Sequence, residues 1–136
     1  MAGTLVISTL SDGTSSASAT DAIKGSARAW VNFNGVTTAT IRASYNVSSV
    51  VRNAVGDYTI NFTNALADAN YAVSVGGSSY SSTQGIPATV AVKNGGVALT
   101  GASATKTTTA LGVVGTYGNN GGGFVDLNEL HVTIFR

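Results

Sequence analysis

There is no cysteine in this chain, which excludes disulfides, thiolate metal sites and a cysteine nucleophile and leaves the redox compartment open. Histidine, tryptophan and proline occur once each. Charge is scarce as well: Asp, Glu, Lys and Arg make up 10% of the 136 residues, against about 25% in ordinary globular chains. Uncharged Ser, Thr, Asn and Gly must therefore cover most of the surface. The net charge of +1 supplies no long-range field, so neither nucleic acid nor an anionic membrane is expected as a partner. Long apolar runs are missing too. The run Leu5-Val6-Ile7 is far shorter than a signal-peptide core or a membrane span, and no basic leader precedes it. Sec-type export is not expected, which leaves lysis or particle assembly as the route to an external location.

What is present is alternation with a period of two, the mark of half-buried antiparallel strands. In Ala29–Gly35, the residues Ala29, Val31 and Phe33 share one face and Trp30, Asn32 and Asn34 the other. Ala39–Val47 reads as one strand, with Ile41, Ala43, Tyr45 and Val47 aligned. Further strands are expected over Gly56–Thr63, Asn70–Val75, Ala88–Val92, Val97–Thr100, Leu111–Tyr117 and Phe124–Phe135. Asn64–Ala69 is at most one helical turn, and helical periodicity is nearly absent elsewhere. Lys93-Asn94-Gly95-Gly96 has the composition of a hairpin turn, and Pro87 opens a strand, where a missing N–H is tolerated. About 136 residues suit one domain. The expected fold is therefore all-β: an antiparallel, jelly-roll-like β-sandwich of about eight strands, occupying residues 28–136.

Residues 1–27 differ in composition. Ser11–Ala22 is small and polar, with too little apolar surface to offset its ordering entropy, and reads as a linker or extended arm. The first ten residues then form a separate strand with no evident partner in the sandwich. Leu5, Val6, Ile7 and Leu10, with Trp30, are the expected anchoring or interface residues, acting by strand addition or exchange between copies.

Chemical equipment is thin. His131, flanked in alternation by Glu129 and Thr133, lies on a polar strand face without ligand or base partners. Ser103 and Lys106 match a Ser-x-x-Lys spacing, but that pairing needs a helix and the Thr-rich surroundings do not favour one. Asp126 and Glu129 would point to opposite faces of a strand, so they cannot flank one bond. Asp57 and Asp68 read as turn residues. Gly118–Gly123 lacks the lysine and helix start of a phosphate loop. Asn46 and Asn61 begin glycosylation sequons that mean only polar strand positions without export. No enzyme, metal or cofactor is expected. Aromatic rings beside Asn or Ser could stack on sugars, and Tyr80, Tyr117, Asn119 and Asn120 are the candidate glycan or receptor contacts.

The block Ala29–Gly35, followed by Thr40–Val73, resembles a module repeated in tail-fibre and other virion-surface proteins of bacteriophages, notably marine and cyanobacterial phages. The opening Met1–Leu10 and the closing His131–Arg136 look like the ends of short members of that group. The resemblance implies a virion structural protein, commonly a homotrimer, attached through its N-terminus to capsid or tail proteins and presenting a β domain outward. The chain has no long shaft of a fibre, which sets capsid decoration, a cement role, beside the fibre or spike. A carbohydrate-binding module is the remaining alternative.

Overall fold

The computed structural model describes residues 3–78, 88–93, 106–117 and 123–136. Two four-stranded antiparallel sheets face each other. One has the order β4 (Thr40–Tyr45), β3 (Ala27–Asn34), β10 (Leu130–Phe135), β7 (Ala72–Gly77); the other has β5 (Val47–Ala54), β6 (Asp57–Phe62), β9 (Ala110–Tyr117), β8 (Ala88–Val92). This is the antiparallel all-β sandwich the alternation implies. Within it, β3–β4 and β5–β6 are hairpins inside one sheet, where a full jelly roll would pass the chain from sheet to sheet.

The period of two sorts each strand between core and solvent. Ala29, Val31 and Phe33 of β3 and Leu130, Val132 and Ile134 of β10 turn inward against Tyr58, Ile60, Leu111 and Val113 of the opposite sheet. Phe33 meets Tyr58 edge-on at 5.3 Å between ring centres, and Phe62 meets Tyr71 likewise at 6.1 Å.

Two expected strands come out differently. The run expected over Ala39–Val47 breaks at Asn46, whose backbone is left-handed (φ 55°), so the chain turns a corner from the first sheet into the second. Asn tolerates that conformation, and its side chain secures it. Asn46 Nδ2 donates to the carbonyls of Arg28 and Asn64 (3.1 Å each), and Oδ1 accepts from the Asn64 N–H (2.8 Å). The corner creates β5, a strand absent from the sequence reading. The expected Phe124–Phe135 strand is ordered as a strand only from Leu130; Phe124 makes a single bridge to Thr116. Val125–Glu129 instead carries the chain between the sheets, with Val125 and Leu127 in the core. Asn64–Ala69 contains no helical turn and is tied down by the buried Leu66, whose N–H donates to Thr108 O. The expected strand Val97–Thr100, the turn at Asn94–Gly96 and Pro87 lie outside the described residues.

Asp126 closes this end of the sandwich. Its carboxylate accepts from Arg52 Nε and Nη2 (2.9 and 2.7 Å), from the Gly56 N–H (2.8 Å) and from the Tyr58 hydroxyl (2.8 Å). Burial pushes the Asp126 carboxyl up, but these three donors outweigh burial and hold it below the ordinary 3.8. A lowered folded-state value means that ionised Asp126 favours the fold above the ordinary value. That contribution is lost as pH falls through the depressed value. Asp126→Asn is expected to cost about 1.5–3 kcal/mol at neutral pH, the usual worth of hydrogen bonds to a charged group. Urea unfolding between about pH 7 and pH 2 should show the wild type converging on the variant in acid. Parallel curves would contradict this.

The N-terminal segment is not a featureless linker. β1 (Thr9–Ser11) pairs with β2 (Ser16–Ser18) as a hairpin, and α1 (Ala19–Gly25) follows, so the first strand finds its partner inside the arm. The turn is held by Asp12, whose Oδ1 accepts from the N–H groups of Thr14 and Ser15. Ser18 caps the helix: its Oγ accepts from the Asp21 N–H (3.0 Å) and donates to Asp21 Oδ2 (2.6 Å). From Gly3 to Ser26 no residue is buried. Leu5 and Val6 are 81% and 88% exposed, and Ile7, Leu10 and Ile23 are exposed as well.

Candidate functional site

The outward face of the β4-β3-β10-β7 sheet follows from register. Trp30 stands opposite Tyr45 on one side and Thr133 on the other, and Thr133 stands opposite Ser74. The next row is Ala43, Asn32, His131 and Gly76. Small neighbours leave the larger side chains standing clear: Tyr45 is 58% and Trp30 38% exposed. His131 is exposed in this row, and its ring leaves no room for a Cβ at Gly76. Asn32 Nδ2 donates to Glu129 Oε1 (2.9 Å), Glu129 pairs loosely with Arg42 (3.9 Å), and Asn32 Oδ1 has no partner.

Where this face meets the β4–β5 corner, a cleft of about 350 Å³ opens between Arg28, Tyr45, Asn46, Asn64, Leu66 and Arg136, with Ala65 and Ala67 completing its wall. The Asn46 corner holds its floor together, since one carboxamide ties β3 to the Asn64 segment. Arg28 Nε donates to the terminal main-chain oxygen of Arg136 (3.0 Å), and the Arg136 side chain is ion-paired with Asp68. Asp68 also accepts from the Asn70 N–H, and both contacts hold its carboxyl below the ordinary range.

All six Asp and Glu residues lie among the described residues. Asp57, Asp68, Asp126 and Glu129 are paired with Lys93, Arg136, Arg52 and Arg42, while Asp12 and Asp21 serve the arm's turn and helix cap. Arg28 is held instead by the main-chain oxygen of Arg136, the last residue of the chain. The cleft gathers two paired guanidiniums, a tyrosine ring and the Asn64 carboxamide within one concavity.

The residues singled out in the sequence are scattered. Trp30 is on the outward sheet face, and Leu5, Val6, Ile7 and Leu10 are on the exposed arm. Tyr117 is half-buried against the core beside Gly123. Tyr80, Asn119 and Asn120 lie outside the described residues, as does Ser103; Lys106 sits over the Tyr71 ring, 4.7 Å from its centre. Asp126 and Glu129 bind separate arginines on different sheets. Asp68 is a turn residue with an ion pair added, whereas Asp57 is wholly buried against Lys93 rather than exposed in a turn. Sequence reasoning missed Arg28, Tyr45 and Asn64, which are brought together only by the corner at Asn46. Among the described residues no group of three or more His, Asp or Glu side chains could hold a metal, and no helix is long and apolar enough to cross a membrane. Comparison with protein families, with curated proteins and with solved structures finds no match.

Proposed function

We propose that this protein is a non-enzymatic structural component of a bacteriophage virion. In this reading it is a small, homotrimeric surface appendage anchored by its N-terminal arm and presenting the sandwich for host attachment. The observation that carries the reading is the two-part build. The sandwich buries its own core, while residues 3–26 bury nothing and expose Leu5, Val6, Ile7, Leu10 and Ile23. Apolar side chains concentrated on a segment without a core mark a surface that another chain covers. A two-stranded hairpin is also marginal on its own and gains stability by packing. A second copy and a neighbouring virion protein are the occupants this reading assigns to the arm, and the resemblance of Ala29–Val73 to virion-surface modules supplies the phage context.

Light scattering on the full chain tests the anchor. The wild type is expected to run as a trimer at micromolar concentration. The triple variant Leu5→Asp, Val6→Asp, Leu10→Asp should run as a monomer with an unchanged β circular-dichroism signal. A monomeric wild type would contradict the reading.

A further inference from the structure

We infer that the open side of the sandwich, between the edges of β4 and β5, receives the arm of a neighbouring copy, whose residues 4–7 add as a strand along β5. The inference rests on the assembly role proposed above and names the surface on which the arm acts.

The four strands at the sheet edges, β4, β7, β5 and β8, are not equivalent. β7 and β8 close their side of the sandwich: Val90 packs so near Gly77 that a Cβ there would lie 2.9 Å from its methyl group. β4 is interrupted by a register shift at Arg42, whose guanidinium donates to Asn128 O (2.7 Å). A bulge and a charge are ordinary devices that keep an edge from pairing. The middle of β5 has neither. At eight residues it is the longest of the four, against six, six and five, and its register with β6 runs unbroken from Ser49 to Arg52. Its one charged side chain, Arg52, is held by Asp126. Among the described residues β5 has a sheet partner on one side only, so the backbone groups of its other edge are a template for a further strand.

Beside this edge the sandwich is open. A groove of about 290 Å³ is lined by Thr37, Thr38, Ala39, Val50, Val51 and Arg52. Val51 is 47% exposed. Val36 and Val55, in the two turns joined through Tyr58 and Asp126, are exposed as well. Three exposed valines around one opening leave apolar surface that a single copy does not bury.

The arm supplies the matching strand. Gly3–Ile7 belongs to no helix or strand, and among the described residues its backbone makes no hydrogen bond. Leu5, Val6 and Ile7 are apolar in succession and two are β-branched, which suits a strand. Four residues span about 13 Å as a strand, the length of Ser49–Arg52. Added to β5, the segment sets one face over the groove and the other beside Val51. Gly3–Ser11 carries no charged side chain and the β5 edge no unpaired one, so their contact strips water from no lone charge. The arm buries nothing on its own copy, which leaves it to the next. Main-chain hydrogen bonds then give strength and the valines give register. Each copy handing its arm to the next is a head-to-tail contact, which closes as a ring in a trimer.

The chain has no cysteine, so introduced thiols can be read without background. The full-length double variant Val6→Cys, Val51→Cys, oxidised at tens of micromolar, is expected to run as a covalent trimer on a non-reducing gel. Val6→Cys combined with Ala72→Cys, on the β7 edge, should stay largely unlinked. Val51→Lys puts a charge on the β5 edge, and light scattering should place its trimer dissociation at about tenfold higher concentration or more, with an unchanged β circular-dichroism signal. Val51→Ile should assemble like the wild type. A Val6–Val51 disulfide confined to one chain would overturn the inference by returning the arm to its own sandwich. A Val51→Cys single variant that links as readily as the double would overturn it by setting groove against groove. Equal linking at Ala72, or a Val51→Lys trimer as tight as the wild type, would overturn it while the arm still assembles the protein at another surface. A monomeric wild type sinks the assembly role itself, so the two failures are distinct.

Discussion

Asp57→Ala is expected to destabilise the protein by about 3–5 kcal/mol, lowering the thermal midpoint by roughly 10–20 °C. Asp57 is fully buried, and its Oδ2 lies 2.8 Å from Lys93 Nζ, itself 5% exposed. The two side chains reach each other across β9: Asp57 opens β6 on one side, and Lys93 follows β8 on the other, its N–H donating to Gly112 O. Asn53 Nδ2 donates to the second oxygen of Asp57 (3.2 Å). Removing the carboxylate leaves an ammonium in a site it cannot leave without opening the sheet. The large loss is the cost of that unpaired charge rather than the net worth of the pair. Replacing both partners, as in Asp57→Leu with Lys93→Met, should therefore cost much less than either single change. Urea denaturation of the two single variants and the double variant checks this. If the three losses simply add, the pair is not coupled and the explanation fails.

The second large effect is expected at Gly56. It ends the β5–β6 hairpin turn at φ 66°, a left-handed conformation that other L residues avoid. A Cβ there would lie 2.5 Å from Gly115 O and 2.6 Å from Val125 N, both backbone atoms that cannot rotate away. The same point gathers three hydrogen bonds: Gly56 N–H to Asp126, Gly115 N–H to Gly56 O, and Val125 N–H to Gly115 O. Strain and collision add, so Gly56→Ala should cost at least about 3 kcal/mol and release the Arg52–Asp126–Tyr58 cluster. A thermal melt within a few degrees of wild type would show that the turn can relax and that this end of the sandwich is not fixed by backbone contact.

Legibility in the sequence followed the physics of each signal. Alternation in β3, β6, β7 and β8 marked half-buried strands because one face of each meets the core, whereas β9 is buried on both faces from Ala110 to Gly115. The same signal hid the corner at Asn46. Val47, Val50 and Val51 follow it without a glycine or proline, and the turn depends on a left-handed asparagine whose partners, Arg28 and Asn64, are 18 residues away in either direction. Alternation also ran on through Phe124–Glu129, where Val125 and Leu127 are buried as they would be in a strand, but the chain is crossing between sheets. The arm's helix spans seven residues, too few for periodicity to register, yet Ser18 and Asp21 had the spacing of a capping box. Asp57 looked like a turn residue because it follows a glycine; only the distant Lys93 reveals why it is buried. The cleft was illegible for the same reason. Arg28, Tyr45, Asn64 and Arg136 form no motif, and sheet register together with one corner gathers them.

The central claim is that an exposed apolar arm assembles the protein while the sandwich stands by itself. Amide hydrogen exchange, read peptide by peptide on the full chain at nanomolar and at tens-of-micromolar concentration, tests it most directly. The account predicts that the amides of residues 3–26 exchange freely in dilute protein and become protected when it is concentrated, while β3, β9 and β10 keep the same protection throughout. Arm amides that exchange at the free rate at every concentration would contradict it.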